Sequence, residues 1–125
     1  MTDVEAISDL LSRYCHAIDD RDFDALKGLL TEDIRFEIGP DDVVEGRTTL
    51  LASIQENLWP PGRHLTVNHS VRVDGDTAHA DSDWVWLNPK LVPERIGRYS
   101  DDFRREGGQW RFAVRRIAFV EPSDV

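Results

Sequence analysis

Asp19 and His64 are of residue types that carry acid–base chemistry, and their positions in the sequence set them apart. Asp19 follows Ile18 at the end of an apolar pattern with helical spacing, and His64 opens a long strand pattern after Pro60-Pro61-Gly62. A carboxylate that fixes the tautomer of an imidazole and stabilises the imidazolium makes it a suitable general base near pH 7. The pair therefore predicts proton abstraction. The alternatives are a solvated acid at a helix end and an ordinary histidine at a strand start.

The strand pattern that begins at His64 has one polar, uncharged face. Alternate residues of an ideal strand share a face. This rule places Thr66, Asn68 and Ser70 with His64, and Leu65, Val67, Val71 and Val73 opposite. A strand face in bulk solvent carries Lys and Glu more often than Thr, Asn and Ser, so we expect the His64 face to line a wet pocket. The aliphatic face suits contact with a second copy of the chain.

Helical patterns precede the strands that would hold these residues. Apolar residues recur at three- and four-residue spacing from Val4 to Ile18, which predicts a helix with one buried stripe. Asp22 can cap a second, short helix. Alternation over Ile34–Ile38 predicts a strand, and Thr48–Leu58 can form a third helix that stops at the following prolines.

The rest of the chain is predicted to be a mostly antiparallel sheet. Strand patterns cover residues 63–73, 76–87, 96–105 and 109–120, with turn signals at Asp74-Gly75 and Glu106-Gly107-Gly108. Three helices with a sheet of about five or six strands predict an α+β fold, and residues 1–125 form a single domain. Helices packed on one face of a curved sheet can leave a cavity between the two layers.

Composition narrows the classes of function. The 15 Lys and Arg residues and 24 Asp and Glu residues give a formal charge of −9, without a basic stripe. Nucleic acid and anionic membranes are therefore not expected partners. The single cysteine, Cys15, excludes an internal disulfide, and no histidine spacing indicates a metal site. The N-terminus lacks the pattern of a secretion signal, so a cytoplasmic location is expected.

Four further residues allow more than one interpretation. Tyr14 completes the apolar stripe of the first helix, so it is a core residue or a hydrogen-bond donor in a pocket. Arg115 is an exposed strand charge or a pocket cation. Trp84 and Trp86 can lie in the sheet core, in a subunit contact or against a substrate.

Several segments together resemble the SnoaL-like branch of the NTF2-like superfamily. They are Tyr14–Phe23, Leu29–Ile34, Glu45–Arg47, His64–Asn68, Val73–Ala78, Tyr99–Arg104 and Trp110–Arg115. The resemblance covers nearly the whole chain. It implies a cone in which the N-terminal helices pack in a strongly curved sheet, with a deep apolar pocket inside, and it implies a homodimer or a higher homo-oligomer.

Within that superfamily the chain is similar to the group of scytalone dehydratase, bile acid 7α-dehydratase and hexachlorocyclohexane dehydrochlorinase. The resemblance implies an Asp–His dyad of Asp19 and His64, the latter in a His-x-x-x-Asn context with Asn68. It also implies functional roles for Tyr14 and Arg115. Five residues turn an ideal helix through about 500°, so Tyr14 and Asp19 face one cavity only if the helix ends or tightens near Asp19.

The expected function is that of a cofactor-independent lyase that removes water from a small apolar hydroxylated carbonyl compound, with polycyclic compounds among the candidates. An isomerase or a cyclase would begin with the same proton abstraction. In this hypothesis His64 is the base, Asp19 orients it, Tyr14 donates a hydrogen bond, and Arg115 binds an acidic end of the substrate. The expected substrate contacts are Asn68, Trp84, Trp86, Phe36 and Leu58.

Two alternatives come from other classes. The first is a non-catalytic module that binds a small apolar ligand or only dimerises, because a fold does not determine a function. The second is an accessory subunit of a ring-hydroxylating oxygenase system, for which the chain is short.

Overall fold

A computed structural model describes the whole chain, Met1–Val125. The helices are α1 (Asp3–Asp19), α2 (Phe23–Gly28) and α3 (Arg47–Glu56). The strands are β1 (Leu30–Ile38), β2 (Asp42–Glu45), β3 (Arg63–Asp74), β4 (Thr77–Leu87), β5 (Pro93–Glu106) and β6 (Gln109–Phe119). A 3-10 helix, Pro122–Asp124, follows near the C-terminus. The predicted α+β class is confirmed.

All six strands belong to one curved sheet in the order β2-β1-β6-β5-β4-β3. Neighbouring strands are antiparallel except β1 and β6, which are parallel. Helix α1 packs on β3 and β6, and α3 packs on β1 and β2. The order leaves β2 and β3 as the two edges of the sheet. The helices and the concave face enclose the main core.

Helix α1 forms as the apolar pattern predicts. The Thr2 hydroxyl accepts a hydrogen bond from the Glu5 backbone N–H at 3.1 Å, and the Glu5 carboxylate accepts one from the Thr2 N–H at 2.8 Å. This reciprocal capping box satisfies two otherwise unpaired donors. The stripe of α1 is buried at Ile7, Leu10, Leu11, Tyr14 and Ala17. None of the helices combines the length and the apolar character that crossing a membrane requires.

Strand β3 contains a β-bulge, which changes the face assignment. Asn68 and His69 together lie opposite one residue of β4, Ser82, and Asn68 has a φ of 54°. One extra residue reverses the alternation of side chains beyond it. Val71 and Val73 therefore lie opposite buried alanines of β4 and pack on the core, on the same face as His64. The prediction of unbroken alternation through residue 73 is wrong.

Strand β1 begins at Leu30, four residues before the alternation that predicts it. The carbonyl of Leu29 accepts a hydrogen bond from the Phe112 N–H at 2.8 Å, and Leu30 lies opposite Phe112. Leu29 and Leu30 are both buried. Strand β1 starts early because its first residues pair with β6. Local periodicity contains no information about that pairing, and by periodicity alone the two leucines belong to the second predicted helix.

Candidate active site

A cavity of about 370 Å³ lies between the concave face of the sheet and the helices. Of its 17 lining residues, 13 are hydrophobic. The aromatic ones are Tyr14, Phe36, Trp59, Trp84, Tyr99 and Phe119. Pockets for small ligands span roughly 300–1,000 Å³ and combine apolar walls with a few polar groups. The size and lining suit a small, largely apolar molecule.

His64 is held at the wall of this cavity by Asp19. The Nδ1 of His64 lies 2.6 Å from Oδ1 of Asp19, and the His64 backbone N–H donates to Oδ2 at 2.9 Å. The side chains are only 16% and 6% exposed, respectively. With Nδ1–H as the donor, Nε2 carries the lone pair, and this atom makes no hydrogen bond within the chain. The structure thus brings together the two residues that the sequence analysis paired.

Local structure explains how this contact forms. Asp19 is the last residue of α1. Because β3 is an edge strand, its outward N–H groups have no strand partner, and the carboxylate of Asp19 takes that place at His64. The Trp59 ring lies nearly parallel to the imidazole, with 6.0 Å between centroids, and Arg21 donates to the Trp59 carbonyl at 3.0 Å. The segment between α3 and β3 therefore covers one face of His64.

Tyr14 and Asp19 do not need to face the same space. Tyr14 lines the main cavity with His64, whereas Asp19 lies behind His64 in a small adjoining pocket. Asp20 already caps the helix, so α1 ends at the acid. The imidazole stands between the carboxylate and the cavity, which removes the angular conflict expected for an ideal helix.

Arg115 does not line the cavity, which corrects its predicted contact with an acidic end of the substrate. Its side chain is 1% exposed and pairs with Asp101, with Nε 3.1 Å from Oδ1 and Nη2 3.3 Å from Oδ2. The Nε contact lacks hydrogen-bond geometry, and Nη1 has no partner within the chain. The guanidinium carbon lies 3.4 Å from the ring centroid of Tyr99 and 4.2 Å from that of Tyr14. Both tyrosines line the cavity, so the guanidinium group lies directly behind this part of the cavity wall.

The buried charges change the acidities of their neighbours. Burial raises the pKa of Tyr14 to about 12, although Arg115 opposes the rise. Burial raises the pKa of Tyr99 further, again against Arg115. Burial also raises the pKa of Asp101 to about 7, and the guanidinium of Arg115 opposes this rise. Both tyrosines keep their protons at neutral pH and can donate hydrogen bonds.

The predicted substrate contacts divide into two sets. Phe36, Leu58 and Trp84 line the cavity, as expected. Trp86 does not, because it is buried edge-on against Trp59 in the small pocket behind His64. Asn68 is exposed on the bulge, where its amide donates to Asp83 at 3.0 Å. The assignments of Trp86 and Asn68 to the substrate cavity are wrong.

The residues that the sequence analysis did not assign to the site include Trp59, Tyr99 and Asp42, which line the cavity, and Asp101, which is buried behind it. The sequence pattern around Asp101 indicates its burial. Tyr99, Asp101 and Phe103 alternate in β5, and a lone acid on an otherwise aromatic face indicates a buried, paired carboxylate. Gly97, on the same strand, leaves room for Trp84, since a side chain there would approach the indole to 2.6 Å.

A second histidine–carboxylate contact lies on the outer face of the sheet. His79 Nδ1 is 2.8 Å from Oδ1 of Asp102, and Nε2 is 3.1 Å from Oδ1 of Asp81. Neither ring nitrogen is left free. The chain has no group of three or more His, Cys, Asp or Glu side chains arranged to hold a metal ion.

Comparison with known proteins agrees with the architecture. The family described as the SnoaL-like domain matches residues 1–116. An uncharacterised protein of Mycobacterium tuberculosis is 34% identical over 122 residues, which cover 89% of this chain and 80% of the relative. The family resemblance predicted from the sequence is confirmed.

Solved structures show the same fold. An NTF2-like protein with a cystatin-like fold from Novosphingobium aromaticivorans superposes with a TM-score of 0.85 at 26% identity, over 96% of this chain and 83% of that one. A putative scytalone dehydratase of that organism (TM-score 0.80, 22% identity) and a hexachlorocyclohexane dehydrochlorinase (0.78, 20%) each align over 94% of this chain and 84% of theirs. At these identities the last two show the fold alone. The chain belongs to the SnoaL-like domain family.

Proposed function

We propose that this chain is a cofactor-independent lyase that removes water from a small, apolar, hydroxylated carbonyl compound. The observation that carries the proposal is the 2.6 Å contact between His64 and Asp19 at the wall of an apolar cavity. A carboxylate-held imidazole with a free Nε2 beside such a cavity is suited to removing a proton from carbon. Among the reactions that begin this way we choose dehydration, the activity for which a putative scytalone dehydratase of the same fold is named.

In the first step, Nε2 of His64 takes the proton from the carbon next to the carbonyl group. The electron pair of that C–H bond forms an enolate, and Asp19 stabilises the imidazolium. The Tyr14 hydroxyl donates a hydrogen bond to the enolate oxygen. Arg115 lies 4.2 Å from the centre of the Tyr14 ring and increases the donor strength of this hydroxyl.

In the second step, the enolate re-forms the carbonyl and expels the hydroxyl group on the next carbon. The imidazolium of His64 gives its proton to this group, which leaves as water, and a conjugated C=C bond remains. The base returns to its starting state, and the reaction has no net oxidation or reduction. If the same enolate is protonated elsewhere, the result is isomerisation, and if it attacks within the molecule, the result is ring closure.

The experiment compares wild-type chain with His64→Ala and Asp19→Asn on a panel of β-hydroxy ketones, including cyclic and polycyclic ones. Product is followed by the absorbance of the conjugated ketone. Loss of a positioned general base typically costs about 10²- to 10⁴-fold in kcat. We expect a loss in that range for His64→Ala and a smaller one for Asp19→Asn, because the imidazole remains.

His79→Ala is the matched control, since His79 also contacts a carboxylate but lies on the outer face. It should retain wild-type turnover, and circular dichroism should show all variants folded. Unchanged turnover in both dyad variants would remove the dyad from the mechanism. A wild-type chain that binds these ketones without consuming them would instead identify a non-catalytic ligand-binding module.

A further inference from the structure

The cavity reaches across the sheet from one edge strand to the other. His64 lies on β3 and Asp42 lies on β2, which are the two edges of the sheet, and both residues line the same cavity. The wall between them includes Trp84 and Tyr99 on the central strands. The cavity therefore has a titratable side chain near each edge of the sheet and a mainly aromatic wall between them.

The register of the β1–β2 pair places Asp42 on the concave face. Asp42 lies opposite Ile38, and Val44 lies opposite Phe36. Side chains of directly opposed residues in an antiparallel pair point to the same face. Since Ile38 and Phe36 both line the cavity, the Asp42 carboxylate is on the cavity side of the hairpin, at its mouth.

Asp42 has no partner within the chain. Arg35, the basic residue of this hairpin, contacts Glu37 and Glu45 but not Asp42. Asp42 makes no ion pair and no side-chain hydrogen bond. Asp42 is solvent-exposed at the mouth of the cavity, so its carboxylate is free to accept a hydrogen bond from a ligand that extends there.

Helix α3 adds polar groups to the cavity wall. Leu50, Ser53, Ile54 and Asn57 follow helical spacing and all line the cavity, and α3 packs on β2. The Asn57 amide nitrogen donates to the Ser53 carbonyl at 2.8 Å, which leaves the Asn57 side-chain oxygen available as an acceptor. The cavity wall therefore offers an uncharged acceptor in addition to the Asp42 carboxylate.

We infer that the ligand carries a hydrogen-bond donor, a hydroxyl or an amine, at the end remote from His64, and that Asp42 binds it. The inference rests on the proposed function only in naming His64 as the reacting end. It specifies the substrate class as a rigid apolar molecule with polar groups at both ends. The donor at the Asp42 end takes no part in the elimination.

The test measures dissociation constants by isothermal titration calorimetry with three naphthalene probes. These are 2-naphthol, naphthalene-2,6-diol and 6-methoxy-2-naphthol, and only the diol has a donor at both ends. One net hydrogen bond is worth about three- to tenfold in affinity. We expect wild-type chain to bind the diol tighter than 2-naphthol by that factor and the methoxy compound about as tightly as 2-naphthol.

Asp42→Ala should abolish the preference for the diol, and Asp42→Asn, which keeps an acceptor, should retain part of it. Asp41→Ala is the matched control, because it removes the same charge from the neighbouring position, which does not line the cavity. It should bind all three probes like wild type. An equal preference for the diol in wild type and Asp42→Ala would overturn the inference.

The two proposals fail separately. A preference for the diol that requires Asp42, in a chain whose turnover does not depend on His64, supports the donor site and contradicts the lyase. Turnover that depends on His64, together with binding that is indifferent to Asp42, does the reverse.

Discussion

The guanidinium of Arg115 is a buried cation with an aromatic ring on more than one side. Asp101, which is fully buried, balances its charge, and the rings of Tyr14 and Tyr99 cover its faces. A buried ion pair is costly to desolvate, so it contributes little to the stability of the fold. We attribute its position behind two cavity tyrosines to the electric field that Arg115 creates at their hydroxyl groups. This field favours negative charge on a ligand oxygen that accepts a hydrogen bond from either hydroxyl group.

Tyr14→Phe tests the hydroxyl that should receive this benefit. The pKa of Tyr14 is raised to about 12 by burial, against the effect of Arg115, so the hydroxyl is a donor throughout the accessible pH range. Removing one aimed donor costs roughly 10²- to 10³-fold in kcat. We expect a loss of that size with little change in KM, measured by steady-state kinetics. If Tyr99→Phe gives the larger loss, the role belongs to Tyr99.

Strand β3 shows how one residue changes the chemistry of an element. Without the bulge, Asn68 would follow His64 and Thr66 onto the concave face of the sheet. The left-handed conformation of Asn68, which asparagine adopts more readily than most residues, turns it outward to Asp83. The bulge brings Val71 and Val73 inward instead, and so makes the deep end of the concave face apolar.

Strands β4 and β5 are linked by a pH-sensitive contact at His79. Partial burial lowers the pKa of this imidazole, but the hydrogen bonds to Asp102 and Asp81 outweigh it, so the pKa is raised above its ordinary value of 6.5. The folded state therefore binds the proton more tightly than the unfolded state. The resulting stability is complete below the unfolded pKa and is lost as pH rises through the folded pKa.

Thermal unfolding of wild type and His79→Gln measures this contribution. We expect the variant to melt roughly 2–5 °C lower at about pH 5 and to differ little at about pH 9. His69→Gln is the control, because His69 is exposed on the bulge. A difference that grows with pH would contradict the assignment of His79 as the protonated partner.

At the scale of the molecule, the outer face of the sheet carries an apolar row across three strands. Leu65 lies opposite Val85, and Val85 lies opposite Ile96. Leu65 is 45% and Ile96 49% exposed. Apolar surface of this kind is typical of subunit contacts. Val71, which the sequence assigned to this surface, packs on the core instead.

We expect the chain to form a homodimer or a higher homo-oligomer through this row. Light scattering coupled to size-exclusion chromatography should give a mass that is a multiple of 14.3 kDa. Ile96→Glu should lower it to that of the monomer, because a charge would be buried in the contact. Val43→Glu, at an exposed apolar residue on β2, should not. An unchanged mass for Ile96→Glu would place the contact elsewhere.

Most helices and strands, and the residue types at their ends, were predictable from the sequence. The buried stripe of α1, its termination beside Asp19 and the strand that opens at His64 all follow from local periodicity and breaker residues. The family resemblance paired these two residues. Such features depend on neighbours within a few positions, which is why a single sequence reveals them.

Which side chains share the cavity depends on how the strands pair and pack in three dimensions. The bulge that turns Asn68 outward, the burial of Arg115 against Asp101 and the place of Asp42 on the concave face each depend on register with another strand. Register is set by the packing of residues far apart in the chain, and a shift of one residue exchanges the two faces of a strand. Periodicity within one segment carries no information about such a shift.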